Sequence, residues 1–350
     1  MKKRLHYILF GMMSLLAFTG CDVHEFPEDR YEPVPFLLHL DFNSEMPLYE
    51  EIEYTRGDAS AKHDLRYVIN AYRTDNVRGE SREADTTFVF TKSDLAQLNY
   101  SAPLELDEGT YTFRVWADYV AAGTDTDKYY NTADFAEIIL TNKSKHSGNN
   151  DYRDAFRGET TATVTNPAYY KGEVVNTIDN QATVKMVRPM GKFKFVSTDI
   201  EVFLRRIVAS SQVEEAQSID QMLQSVDLDD YKIVFRYNEF MPCSYNMFTD
   251  KPADSWTGVS FDGGMLIEND GEVTLGSDYI FVNGSETTLN VSLEVYNVKG
   301  ELMSSTNPIA LPIVRSKLTV VKGEFLTSKA SNGVVINPGY DGDDYNIEII

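Results

Sequence analysis

Cysteine is nearly missing from this 350-residue chain: Cys21 and Cys243 are the only two. A fold of this length must then rest on buried apolar area rather than on a disulfide framework. Tryptophan is as scarce, with two residues, and there are five histidines. Basic residues are outnumbered, 32 Lys and Arg against 54 Asp and Glu, for a formal net charge of −22. A surface of that sign repels phosphate backbones, which excludes nucleic-acid binding through a basic patch. No apolar run reaches the roughly 20 residues of a comfortable membrane-spanning helix. Also missing are HExxH spacing, a P-loop, a dinucleotide fingerprint and a nucleophile elbow. His39, His63 and His146 lie far apart with no metal-ligand spacing around them. Pairs of acidic residues carry no signal among 54 of them. The expectation is a protein without a catalytic site, metal or cofactor.

What is present starts with an address. Lys2, Lys3 and Arg4 precede a mostly apolar stretch from Tyr7 to Phe18, which has the length of a secretory signal core. Phe18-Thr19-Gly20-Cys21 follows. It resembles the bacterial lipoprotein signal, in which Cys21 becomes the lipidated mature N-terminus, although Phe18 stands where such signals usually carry leucine. Residues 1–20 are therefore expected to be a signal peptide, and attachment is expected to be by acyl chains. Residues 21–35 contain Pro27, Pro33 and Pro35 and five acidic residues, and read as an extended acidic tether. The acidic run resembles the signal by which some Gram-negative anaerobes place lipoproteins on the outer surface.

From Phe36 onward, period-two alternation dominates, and 21 Tyr and 19 Phe favour strands. Phe36, Leu38, Leu40 and Phe42 share one face; so do Leu65, Tyr67, Ile69 and Ala71, and Tyr111, Phe113, Val115 and Ala117. The intervening polar residues are expected to meet water. The same grammar restarts after a Pro-, Gly- and Asn-bearing stretch, Asn166 to Gln181. The boundary is placed at 182, giving domains 36–182 and 183–350. One short helix, Val213 to Leu223, interrupts the second. The expected class is all-β: two tandem β-sandwiches.

Four smaller features invite functional readings. Arg56-Gly57-Asp58 is the tripeptide that integrins read, within an expected loop; the plainer reading is a glycine turn. Asp341-Gly342-Asp343-Asp344 is acidic but lacks EF-hand spacing, and reads as a solvated turn before a final strand. Trp116 and Trp256 fall in strand patterns, which suits a core better than a sugar platform. Cys243, among apolar residues, reads as a buried inert thiol.

Several segments together resemble the FimB-type fimbrial anchor and fimbrillin-like lipoproteins of type V pili. They are Asp64–Arg73, Glu108–Tyr119, Tyr129-Tyr130-Asn131-Thr132, Val187-Arg188-Pro189-Met190-Gly191-Lys192-Phe193 and the closing Asn337-Pro338-Gly339-Tyr340-Asp341-Gly342. The resemblance implies transthyretin-like sandwiches of Greek-key character. It implies a lipid-anchored fimbrial subunit of the outer membrane and cell surface, acting in adhesion and joined to other fimbrial subunits by strand addition, with a host or bacterial surface ligand as a further partner. In that system an arginine-directed protease removes the first strand of stalk subunits, while anchors keep their lipid. Arg30 precedes the first expected strand and Arg56 follows it, so both are candidate processing sites. Cleavage after Arg56 would release Phe36 to Phe42; cleavage after Arg30 would only sever the tether. An anchor or accessory role is favoured. The alternative from another class is a surface glycan-binding lipoprotein.

Overall fold

The computed structural model describes residues 33–42, 62–74, 83–166, 169–170, 173–174, 179–210, 218–268, 271–328, 336–341 and 344–349. Five strands come first: β1 (Val34–Asp41), β2 (His63–Arg73), β3 (Thr86–Lys92), β4 (Tyr100–Leu106) and β5 (Gly109–Ala121). β1 obeys its alternation, burying Val34, Phe36, Leu38 and Leu40 while Pro35, Leu37 and His39 point away from the core. It pairs antiparallel with β4 and parallel with strand Gln181–Lys185. The opposing sheet runs β3, β2, β5, Ala155–Val164. Side chains from both sheets close one apolar core, in which Phe36 stacks on Phe113 at 5.3 Å. Neither neighbour of β1 is next to it in sequence, a crossing order that Greek-key connections produce.

The polar partners in β2, and Asp118 in β5, do not meet water. β2 is buried along both faces from His63 to Tyr72, and Trp116 and Asp118 of β5 are fully buried. Chain from both halves covers this second face. Trp116 lies 6.3 Å from Tyr245 and 6.4 Å from Phe281, and the Arg114 guanidinium sits 4.3 Å above the Phe248 ring. Val68 and Trp116 on the supposed wet face were the legible sign that something apolar would cover it.

The second unit is also a sandwich. One sheet runs Leu266–Ile267, Val273–Phe281, Met190–Ser197, Leu318–Gly323, Asp344–Ile349, Ile336–Asp341. The other runs Ser260–Gly263, Lys232–Tyr237, Glu286–Tyr296, Leu302–Ser305, with Ile309–Val314 also on Glu286–Tyr296. Phe235 and Phe261 stack at 4.7 Å between them, and Phe195 packs edge-on at 5.3 Å. The final strand is Asp344–Ile349, in a hairpin with Ile336–Asp341.

Among the described residues, two α-helices rather than one occur here: α1 (Ile200–Ser210) and α2 (Ile219–Ser225). Ile200, Phe203, Leu204, Ile207 and Val208 of α1 recur at helical spacing and are buried, a pattern the strand reading passed over. The expected helix survives in its second part, where Ser218 and Gln221 form a capping box that starts α2; residues 211–217 lie outside the described residues. The expected division at 182 falls inside strand Gln181–Lys185. Strand Ile138–Leu140, from the first half, pairs with Ser244–Asn246 of the second.

Candidate functional site

The position with most functional consequence is the slot that β1 fills. β1 is hydrogen-bonded along both edges, with Leu38 opposite Ala182 on one side and Ala102 on the other. Further bonds fasten its middle and its C-terminal end: Leu37 N donates to Asn180 O at 2.9 Å, Met186 N to Asp41 O at 2.8 Å, and Phe42 N to Asn99 Oδ1 at 2.8 Å. On the outer face, His39 bridges the two neighbouring strands through Ser101 Oγ at 2.8 Å and Gln181 Oε1 at 3.0 Å. Eight residues at the usual rise span about 26 Å. Burying four large apolar side chains contributes about 6–12 kcal/mol before entropy. That is comparable with the whole stability of an ordinary domain, about 5–15 kcal/mol. The slot therefore cannot stay empty in a folded protein; either β1 or an equivalent strand must occupy it.

A second buried locus fixes the two halves together. The segment around His146–Asp154 docks on strand Val273–Phe281, where Asn149 N donates to Ser277 O at 2.6 Å. Beneath it, Asp278 accepts from Arg153 Nη1, from Tyr237 OH at 2.5 Å and from His146 Nε2 at 2.6 Å. Burial pushes the Asp278 carboxyl up, but Arg153, His146 and Tyr237 outweigh it and hold it at about 2. Burial, helped by Arg153, keeps the His146 imidazole below its ordinary value, so it is neutral at pH 7. An ionised carboxylate only accepts, so the contact with Asp278 calls for a proton on His146 Nε2, the nitrogen that Arg153 Nη1 also approaches, at 3.0 Å. Alongside, Arg188 reaches Asp154 at 2.9 Å with its guanidinium 4.8 Å over Phe156. Nearer the surface, Asp250 accepts from Tyr245 OH and from Arg315 at 3.0 Å and lies 2.5 Å from Arg157. Asp278 with Arg153, and Asp154 with Arg188, pair charge for charge within the buried joint.

Among the described residues, no group of three or more His, Cys, Asp or Glu is placed to hold a metal ion, and no helix is long and apolar enough to cross a membrane. A cleft of about 230 Å³ opens beside the end of β1, lined by Phe42, Gln97, Leu98, Asn99, Phe156 and Met186. Trp116 is fully enclosed, and Trp256 packs partly buried against the second core. Cys243 is buried, and burial pushes its thiol up to about 12. Cys21, Arg30, Arg56, Gly57 and Asp58 lie outside the described residues. The joint residues His146, Arg153, Tyr237 and Asp278 escaped the sequence reading because nothing local marks them; their partners are more than 100 residues away in most cases.

A family model described as a family of unknown function, DUF6562, matches residues 36–349. A search of the curated proteins gives no match. Among solved structures, the chain is similar to the fimbrial anchor protein Mfa2 from Porphyromonas gingivalis, with 13% identity, 78% of this chain and 82% of that chain covered, and a TM-score of 0.37. It is also similar to a fimbrial assembly protein from Parabacteroides distasonis, with 10% identity, 90% and 98% coverage, and a TM-score of 0.40.

Proposed function

We propose, for a chain that belongs to the DUF6562 family along nearly its whole length, that it serves as a lipid-anchored fimbrial subunit of the cell surface. In this reading Cys21 carries the lipid, the chain between it and β1 spans the gap to the outer membrane, and the two sandwiches form the body that contacts neighbouring subunits. The role is that of an anchor or accessory component, acting in fibre attachment and adhesion, with no catalytic chemistry. The observation that carries the proposal is β1 itself. It is the first described strand, fills a slot between two non-neighbouring strands, and buries four apolar side chains there. Such a slot can be satisfied by the chain's own strand or by one donated from outside, which is the physical basis of strand addition. A subunit that keeps β1 is complete and offers no vacant groove at this position, as suits an end-piece rather than a link in the stalk.

The test joins two measurements. Mass spectrometry of the mature polypeptide is expected to find an acylated Cys21 followed by an intact sequence through Arg56. Electron microscopy of cells lacking the chain is expected to find fibres shed or mislocalised. An unmodified Cys21, or unchanged attached fibres, would defeat the proposal.

A further inference from the structure

β3 is an edge strand with an unusual composition. Its inner edge pairs with β2 in unbroken register from Leu65–Lys92 to Ala71–Thr86, and no described strand pairs with its outer edge. Exposed edges with high β propensity are templates for another chain, and proteins normally block them with proline, charge, bulges or brevity. The other edge strands of five or more residues in the described sheets carry such devices. Pro103 interrupts β4, Pro312 lies in Ile309–Val314, and Pro338 lies in Ile336–Asp341. Ala155–Val164 and Gln181–Lys185 close on each other next to the paired bridge between Arg157 and Val187. β3 has no proline, no bulge and no charge from Thr86 to Thr91. None of its residues is fully buried; Val89 is 43% exposed, and Phe88 and Phe90 are only partly covered at the rim of the first core.

The strand also reads the same in both directions: Thr87-Phe88-Val89-Phe90-Thr91. We infer that β3 is a self-pairing edge through which two copies of the chain join, antiparallel and about a two-fold axis passing through Val89. A two-fold axis at Val89 sets each residue against its mirror position, and the palindrome makes each of those pairs like with like. In this register Thr87 meets Thr91, Phe88 meets Phe90 and Val89 meets Val89 of the second copy. Threonine–threonine and aromatic pairs are favourable cross-strand neighbours. Same-parity pairing keeps both cores on one side, so the two four-stranded sheets become one of eight strands. The half-covered Phe88 and Phe90 rings gain partners there. Both copies carry net charge −22, so association strengthens as salt shortens the screening length, from about 30 Å at 0.01 M to about 8 Å at 0.15 M.

The experiment uses the full chain in detergent micelles. Val89→Cys places two thiols across the axis, at the roughly 4.5–5.5 Å Cα spacing of directly opposed residues, within disulfide range. Mild oxidation is expected to give a covalent dimer at least about tenfold faster than Glu105→Cys, which sits exposed on the β4 edge, or than the parent chain. Light scattering of the parent chain is expected to give a dimer mass that grows with salt. Val89→Lys opposes two like charges on the axis and is expected to return the monomer with unchanged circular dichroism. A monomeric mass at about 100 µM chain in both salt conditions, or equal cross-linking of Val89→Cys and Glu105→Cys, overturns the inference.

Discussion

Replacing Asp278 by asparagine probes the joint between the two halves most directly. The substitution keeps volume and removes charge, leaving Arg153 buried beside a neutral amide. Breaking one side of a buried pair costs about 3–5 kcal/mol, because the remaining charge has lost both water and partner. The pH dependence gives an independent handle. Asp278 titrates at about 2 in the folded chain, against 3.8 for the ordinary carboxyl. A depressed carboxyl binds fewer protons folded than unfolded, so its stabilisation is complete above the unfolded value and is lost as pH falls toward 2. A shift of that size corresponds to about 2 kcal/mol. His146 acts in the same direction, since its folded value is also lowered and acid must charge it against burial. Urea denaturation followed by tryptophan fluorescence reads the event, because Trp116 sits fully buried 6.4 Å from Phe281 on the same strand as Asp278. The parent chain is expected to exceed Asp278→Asn in stability at pH 7, with the gap narrowing by about 2 kcal/mol between pH 5 and pH 2. A gap under about 1 kcal/mol at pH 7, or one that stays constant on acidification, would refute the reasoning.

Phe36→Ala empties the largest part of the β1 slot and is expected to cost about 3–5 kcal/mol, read as a lower urea midpoint with the far-ultraviolet spectrum of strands retained. Gly158→Ala sets a methyl against Val184 Cγ1 and 2.7 Å from Lys185 O; it is expected to lose about 1–3 kcal/mol in the same titration, whereas a neutral result would mean the strands stand further apart. Cys243, fully buried with its thiol pushed up to about 12, is expected to resist maleimide at pH 7 until denaturant is added; rapid labelling of the native chain would contradict the packing.

The inward face of β1 was legible from alternation alone, and so were those of β5 and of Lys232–Tyr237, because one side of each strand is apolar. Alternation could not say whether the opposite face is wet. Arg66 and Asp118 look like solvent-facing residues in their strands. In the fold they form a buried pair at 2.8 Å, covered by the chain that follows β5. A polar residue satisfied by a distant partner leaves no local trace. α1 was legible and missed, since its apolar residues recur at three and four. The slot became visible only with the pairing of β1 to Gln181–Lys185, because sequence patterns define faces and not neighbours.

That same pairing governs when the first half can mature. Leu37 finds Gln181, and Leu40 finds Val184, only after the intervening chain has been made. Contacts so distant along the polypeptide are slow to form. A nascent chain leaving the ribosome therefore stays unfinished in its first half until residue 185 has emerged, and the half-built sheet remains pliable throughout that interval.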